Sequence, residues 1–224
     1  MGRLAVILGS GAAGPGGVEI VAAAEAHAVV LQRHAGAGGA YVLPHRIDHA
    51  ANLRALAEAG CDRVLAISSA GSLDAGVGVG SLVCPHDFIA LTATVTTFED
   101  PRGHMLAGFD AGWRGRVLGA WQASGAGPLR DGGVYWQTSG PRFETPAEIR
   151  LLAAHADLVG MTIASECVVA CELGLAYAAV CVVDNLANGV AADPLSPAEL
   201  ERDRERNAER LRDDLAAALP ELAR

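Results

Sequence analysis

The chain has 224 residues, enough for one sizeable domain, and 51% of them are hydrophobic. Its 17 basic residues are all Arg and face 26 acidic ones, for a net charge of −9. An acidic chain without Lys is a poor partner for nucleic acid and offers neither a P-loop lysine nor a Schiff-base lysine. No apolar run is long enough to span a membrane and no signal peptide is visible, so the expected location is cytoplasmic, with no membrane partner.

Strand-like apolar runs alternate with helical ones, which predicts an α/β domain over residues 1–224, without internal repeats or a dividing linker. The first strand, Leu4–Leu8, runs into Gly9-Ser10-Gly11-Ala12-Ala13-Gly14, a G-x-G-x-x-G string. A dinucleotide-binding reading of that string needs an acidic residue ending the second strand. That strand, Ala28–Gln32, is followed instead by Arg33-His34, and Pro15 and Gly16-Gly17 interrupt any helix after the glycines. Next come a Gly-rich loop at Ala35–Ala40, a helix over Ile47–Ala59 and a third strand over Arg63–Ser68. The third strand leads into Ser68-Ser69-Ala70-Gly71. A strand over Ser81–Phe88, a loop over Thr92–Ala107, a helix over Trp113–Ala123 and a strand over Gly133–Gln137 follow.

Residues 138–162 read TSGPRFETPAEIRLLAAHADLVGMT and are the most informative stretch. Thr145 can cap a helix over Pro146–His155, with Glu148 closing a capping box. A short strand over Asp157–Met161 follows. Phe143 and Glu144 thus share a loop ahead of a rigid helix, suited to stacking on a flat heterocycle and reading its edge. Further on lie a helix over Ala164–Leu173, a strand over Ala176–Val183 ending in Asp184-Asn185, and a charged amphipathic helix over Pro197–Leu219. Cys167 and Cys171 fall one helical turn apart in an apolar run, which argues for core packing rather than a metal site or a disulfide.

The ordered string from Thr138 to Thr162 resembles the purine nucleoside phosphorylase family, in the branch containing the 5'-methylthioadenosine phosphorylases. The resemblance covers nearly the whole chain and is strongest from Tyr135 to Gly189. It implies a central mixed, twisted β-sheet flanked by helices. It also implies phosphorolysis of a purine nucleoside to the free purine and a ribose 1-phosphate, with inorganic phosphate as co-substrate and no metal or organic cofactor. Residues matching the family's phosphate shell are Ser10, Arg33, His34, Ser68 and Thr162, with Arg33 expected to grip the anion bidentately. Ser69, Ala70 and Met161 match the ribose floor, and Phe143, Glu144 and Asp184 the base site.

In that family the strand end holding Asp184 carries Asp in adenine-cleaving enzymes and Asn in 6-oxopurine enzymes. Asp184 is therefore the expected proton donor to the leaving base, its pKa raised by burial. Glu144, by contrast, matches the 6-oxopurine branch. The weight placed on Asp184 favours a methylthioadenosine-like substrate, with 6-oxopurine nucleosides as the alternative. At the sugar 5' end the resemblance points to Leu195, Pro197 and Leu200, and to His104 from a neighbouring subunit of a homotrimer. The chain departs from the family in a shorter N-terminal third and in lacking a further histidine after His34. A nucleosidase and a catalytically inactive purine-binding relative are the remaining rivals.

Overall fold

The computed structural model describes residues 2–9, 22, 24–191 and 197–224. Nine strands appear among them: β1 (Arg3–Leu8), β2 (Val29–Gln32), β3 (Cys61–Ser72), β4 (Leu82–Cys84), β5 (Asp87–Ile89), β6 (Leu129–Asp131), β7 (Val134–Gln137), β8 (Leu158–Gly160) and β9 (Ala176–Leu186). The described helices are α1 (His49–Glu58), α2 (Ala111–Ala123), α3 (Pro146–Leu152), α4 (Ile163–Glu172) and α5 (Pro197–Leu222). All nine strands join one mixed sheet, as expected. No helix among the described residues is long and apolar enough to cross a membrane.

The long strand β3 organises this sheet. Its first half pairs in parallel with β1, which pairs in parallel with β2, and the contact ends at Leu8 opposite Ile67. β3 then continues alone on that side until Gly71 and Ser72 meet β8, which runs antiparallel to it. Along its other side β3 pairs in parallel with β9 for nearly its whole length. The sheet opens on one flank just past Ile67, and that opening becomes the floor of a cavity.

Both faces of the sheet are covered, so its inner strands are apolar on both sides. On one face Leu4, Val6 and Leu8 of β1 and Ala178, Val180 and Val182 of β9 pack with α2 and α5. On the other, Ala5, Ile7, Ala179, Cys181 and Val183 pack with α1 and α4. Trp113 ties α2 to the sheet by donating from its indole Nε1 to the Val64 carbonyl at 2.8 Å. The helix starts there because Asp110 accepts from the Trp113 amide as its N-cap. Cys167 is buried in the second of these cores, as the sequence suggested.

Three departures from the sequence reading have local causes. The strand expected over Ser81–Phe88 divides into β4 and β5, because Pro85 lacks the N–H that would continue a ladder. The halves then pair far apart, β4 with β9 and β5 with β7. β6 is a three-residue strand beside β4, too short to carry an alternating pattern. β3 and β9 run past their expected ends, because their polar final residues pair with each other.

Trp113 is 3% exposed. Replacing it with Ala should lower the unfolding free energy by about 3–5 kcal/mol, read as a lower midpoint in a denaturant titration of equal slope. An unchanged midpoint would mean that α2 is not held by this indole.

Candidate active site

A cavity of about 230 Å³ opens where β3 overshoots β1. The carboxyl ends of β2, β3 and β9 reach it, as expected for ligands of open α/β sheets. β8 enters against the direction of β3, yet its end also arrives there, because β3 is long enough to meet it. The lining includes Arg33 and His34, Ser68 to Gly71, Phe143 and Glu144, and Gly160 to Thr162. Most of the residues singled out from sequence are therefore neighbours across the fold.

The loop bearing Phe143 is bent over the cavity at Gly140, whose φ of 64° favours glycine. A Cβ there would lie 2.5 Å from the Met161 sulfur, so the Met161 side chain would have to shift to admit one. Beyond it the expected capping box forms: Thr145 accepts from the Glu148 amide, and Glu148 accepts from the Thr145 amide. Arg142 binds the same Glu148 carboxylate, and these bonds hold its pKa down at about 2. Ile149 and Leu152 seat α3 against Val159 of β8. Phe143 is left at the rim, 45% exposed, while Glu144 is 7% exposed and accepts from the Thr138 hydroxyl at 2.6 Å. Asn188, not foreseen from sequence, donates to the Glu144 carbonyl at 2.9 Å.

The fork of Arg33 is not free. Its Nε and Nη2 donate to the two oxygens of Glu166 at 2.7 and 2.9 Å, and Nη1 donates to the Ile67 carbonyl at 2.9 Å. Tyr177 adds a hydroxyl bond to Glu166 at 2.7 Å. Burial opposes charge on both groups, but each is held ionised by the other: Arg33 is raised and Glu166 lowered from its ordinary pKa. The Nε–Nη2 edge of Arg33 thus faces a carboxylate, and one N–H each of Nη1 and Nη2 is left for an anion. A Cβ on Gly9 would come within 2.7 Å of Nη1, so the end of β1 lies directly against this corner. Glu166 was missed, although a lone acid in an apolar helical run is a signal that it is paired.

His34 stacks on Tyr41, with ring centroids 4.8 Å apart and planes 5° from parallel. Its Nδ1 lies 2.8 Å from the Val42 carbonyl and donates to it in the neutral ring, which leaves Nε2 as an acceptor. Burial pushes its pKa below the ordinary histidine value, so the ring is neutral at pH 7. The Ala35–Ala40 loop thus returns an aromatic ring to His34. Ser68 and Thr162 are buried at the cavity wall, and Thr162 precedes α4 without capping it by its side chain.

Asp184 is the principal correction. It does not border this cavity; Asn185 does. In β9 the even-numbered side chains Ala178, Val180 and Val182 face α5, and Asp184 continues that row. An irregularity between Ala70 and Gly71 leaves Asp184 unpaired and sets Asn185 opposite Gly71, at the cavity. The Asp184 carboxylate accepts from the Ser69 hydroxyl and, at 2.7 Å, from Asn207 of α5. Its pKa is raised, as foreseen, by burial, with the Ser69 and Asn207 bonds acting against the rise. The base contact and proton donation expected of Asp184 are therefore not supported by its position. Ser69, expected under the sugar, spends its hydroxyl on Asp184 while its backbone lines the floor.

The 5' residues divide differently. Leu195 and the Pro197 side chain lie outside the described residues, as does Ser10 of the expected phosphate shell. Leu200 is buried. His104 is exposed after a short turn at Pro101–Gly103 and does not border the cavity of its own chain. Arg204 of α5 was not foreseen and does border it. Among the described residues no group of His, Cys, Asp and Glu is arranged to hold a metal ion.

Comparison with known proteins agrees with this layout. The family described as the phosphorylase superfamily matches residues 10–220. Over 165 residues the chain is 41% identical to a probable 6-oxopurine nucleoside phosphorylase of Archaeoglobus fulgidus, spanning 74% of this chain and 68% of the relative. A relative of the same name from Moorella thermoacetica is 38% identical over 190 residues, spanning 82% and 73%. A probable S-methyl-5'-thioinosine phosphorylase of Methanothermobacter thermautotrophicus is 38% identical over 158 residues, and the match spans 54% of its length. Among solved structures, methylthioadenosine phosphorylase from Schistosoma mansoni in complex with adenine has a TM-score of 0.79 at 21% identity, over 98% of this chain and 91% of that one. At that identity the likeness shows the fold. The match across nearly the whole sequence, with relatives of this identity aligned over most of their length, establishes that the chain belongs to the phosphorylase superfamily, in its purine nucleoside phosphorylase family.

Proposed function

We propose that this chain cleaves 6-oxopurine nucleosides, with a 5'-methylthio or 5'-hydroxyl group, by phosphorolysis to the free 6-oxopurine and a ribose 1-phosphate. The observation that carries this reading is that Glu144 and Asn185 line the cavity together, while Asp184 faces away from it. A 6-oxopurine presents an N–H donor at N1 and acceptors at O6 and N7. A carboxylate oxygen of Glu144 accepts from N1–H, and the Asn185 amide donates to O6 or N7. Asn185 uses one Nδ2 proton on the Leu186 carbonyl at 2.9 Å, leaving the other. Adenine would turn a bare N1 lone pair toward the carboxylate and an amino group toward the amide donor. The names of the relatives compared above, 6-oxopurine and methylthioinosine phosphorylases, support the same choice.

In this reading phosphate lies beneath the sugar, near Ser68, Thr162 and the remaining Arg33 N–H groups. A phosphate oxygen forms the bond to C1' as the C1'–N9 bond breaks, and the electron pair leaves with the base. The proton of the attacking hydrogen phosphate passes through solvent to the purine anion, giving the free base. The sugar carries positive charge midway, which the anion beneath it stabilises. Asn185 stabilises the charge on the departing purine by hydrogen bonding, without donating a proton. Phe143 stacks on the ring.

The deciding assay incubates the protein with methylthioinosine, inosine, methylthioadenosine and adenosine, with and without phosphate, and separates the free bases. Phosphate-dependent hypoxanthine without adenine is expected; adenine as the main product overturns the base assignment, and release without phosphate means a nucleosidase. Glu144→Gln should lower kcat/KM for the 6-oxopurine substrate by roughly 10- to 100-fold, the worth of a hydrogen bond to a charged group. Asn185→Asp should move the ratio of adenine to hypoxanthine release upward, whereas Asp184→Asn should leave that ratio unchanged. If Asp184→Asn shifts the ratio instead, the assignment of the base site to Asn185 fails.

A further inference from the structure

What Arg33 can offer an anion at the end of β2 depends on Glu166. The two are matched through bonds of 2.7 and 2.9 Å, so the buried pair is close to neutral as a unit. A third group faces the same carboxylate. His49, the first residue of α1, is 7% exposed, and its Nδ1 is buried without a hydrogen-bond partner. That nitrogen lies 3.9 Å from Oε1 of Glu166, the oxygen that accepts from Arg33 Nε. The gap is too long for a hydrogen bond, yet a small turn of the ring or the carboxylate would close it. An unpaired buried polar atom costs free energy and calls for a reason.

The charged and titratable groups around His49 come from four elements. Asp48 caps α1 beside it, Glu166 stands on α4, Arg33 and His34 follow β2, and Tyr177 of β9 donates to Glu166. Burial is the main cause that pushes the His49 pKa below the ordinary histidine value. Arg33 and His34 act in the same direction, with Glu166 and Asp48 opposing them. The ring is therefore neutral at pH 7, and Glu166 belongs to Arg33. A phosphate dianion beside Arg33 brings negative charge to this corner and favours the protonated ring.

We propose that His49 is a positioning residue for the phosphate site, acting through the carboxylate that it shares with Arg33. Once protonated, the ring donates from Nδ1 to Glu166. The carboxylate is then divided between two cations, and Arg33 keeps positive charge for the anion. Phosphate binding and protonation of His49 strengthen each other by the same factor. At pH values below the ordinary histidine range the chain binds phosphate more tightly, and it takes up a proton as it does so. This inference rests on the proposed place of phosphate at Arg33 for its role in turnover, but binding and protonation can both be measured without turnover.

The test titrates inorganic phosphate by calorimetry into the full chain, wild type and His49→Phe, with circular dichroism to verify the fold. Two conditions are used, about pH 8 and about pH 5.5, on either side of the ordinary histidine range. Phosphate ionises identically in the two samples and His34 is present in both, so the ratio of their dissociation constants isolates His49. That ratio should be close to unity at the higher pH and favour the wild type by roughly 5- to 10-fold at the lower. In proton NMR of the wild type, the His49 ring signal, identified by its loss in His49→Phe, should have a midpoint that rises when phosphate is added. A ratio equal at both pH values means lost packing and overturns the inference, as does a His49 midpoint that phosphate leaves unmoved. If His49→Phe fails to fold, the wild-type NMR titration decides alone. A wild type that fails to bind phosphate also overturns the inference. A wild type that binds phosphate but cleaves no purine nucleoside defeats the proposed function alone, and the titrations still decide the role of His49.

Discussion

The parallel pairing of β3 with β9 carries the site, and the residue left over in that pairing decides its chemistry. The two strands run together from Arg63 opposite Ala176 to Ser72 opposite Leu186, and β9 holds one extra residue where Ala70 gives way to Gly71. That residue is Asp184. It keeps to the side of the sheet covered by α5, and its neighbour Asn185 turns to the cavity. A strand reverses its side chains at each step, so a shift of a single position exchanges a carboxylate for an amide at the place where a ligand is read. The overshoot of β3 beyond β1 has a second effect: it gives β8 a partner and brings Met161 and Thr162 to the same opening.

The electrostatics of the cavity follow from burial. Arg33 and Glu166 each lie almost wholly out of water, and neither charge would be tolerable without the other. Their pairing stiffens the wall between β2 and α4, with Tyr177 satisfying one more lone pair of the carboxylate. It also spends the guanidinium edge that would otherwise suit an oxyanion.

Much of the layout was legible in the chain. The alternation of strand and helix, the cap at Thr145 and the Phe143-Glu144 loop all depend on local pattern, and all stand where that pattern put them. Arg204 was not legible. It sits among Arg, Asp and Glu in a helix whose charges look equivalent until one of its faces is docked. Glu166 could have been found, because an acid within an apolar run demands a partner, but its partner lies 133 residues away along the chain.

The sequence by itself determined the family and the fold class and named many of the residues that line the cavity, because these are written in short ordered motifs and in hydrophobic period. Only the tertiary structure decided which side chains of that set face the cavity. Both sides of β9 are apolar, so polarity could not tell its two faces apart, and nothing local marks the extra residue beside Gly71. The same holds for Arg33, whose fork looked free until a helix from the second half of the chain placed Glu166 against it. Direction and partnership are settled by packing between distant segments, and packing is what the linear order leaves open.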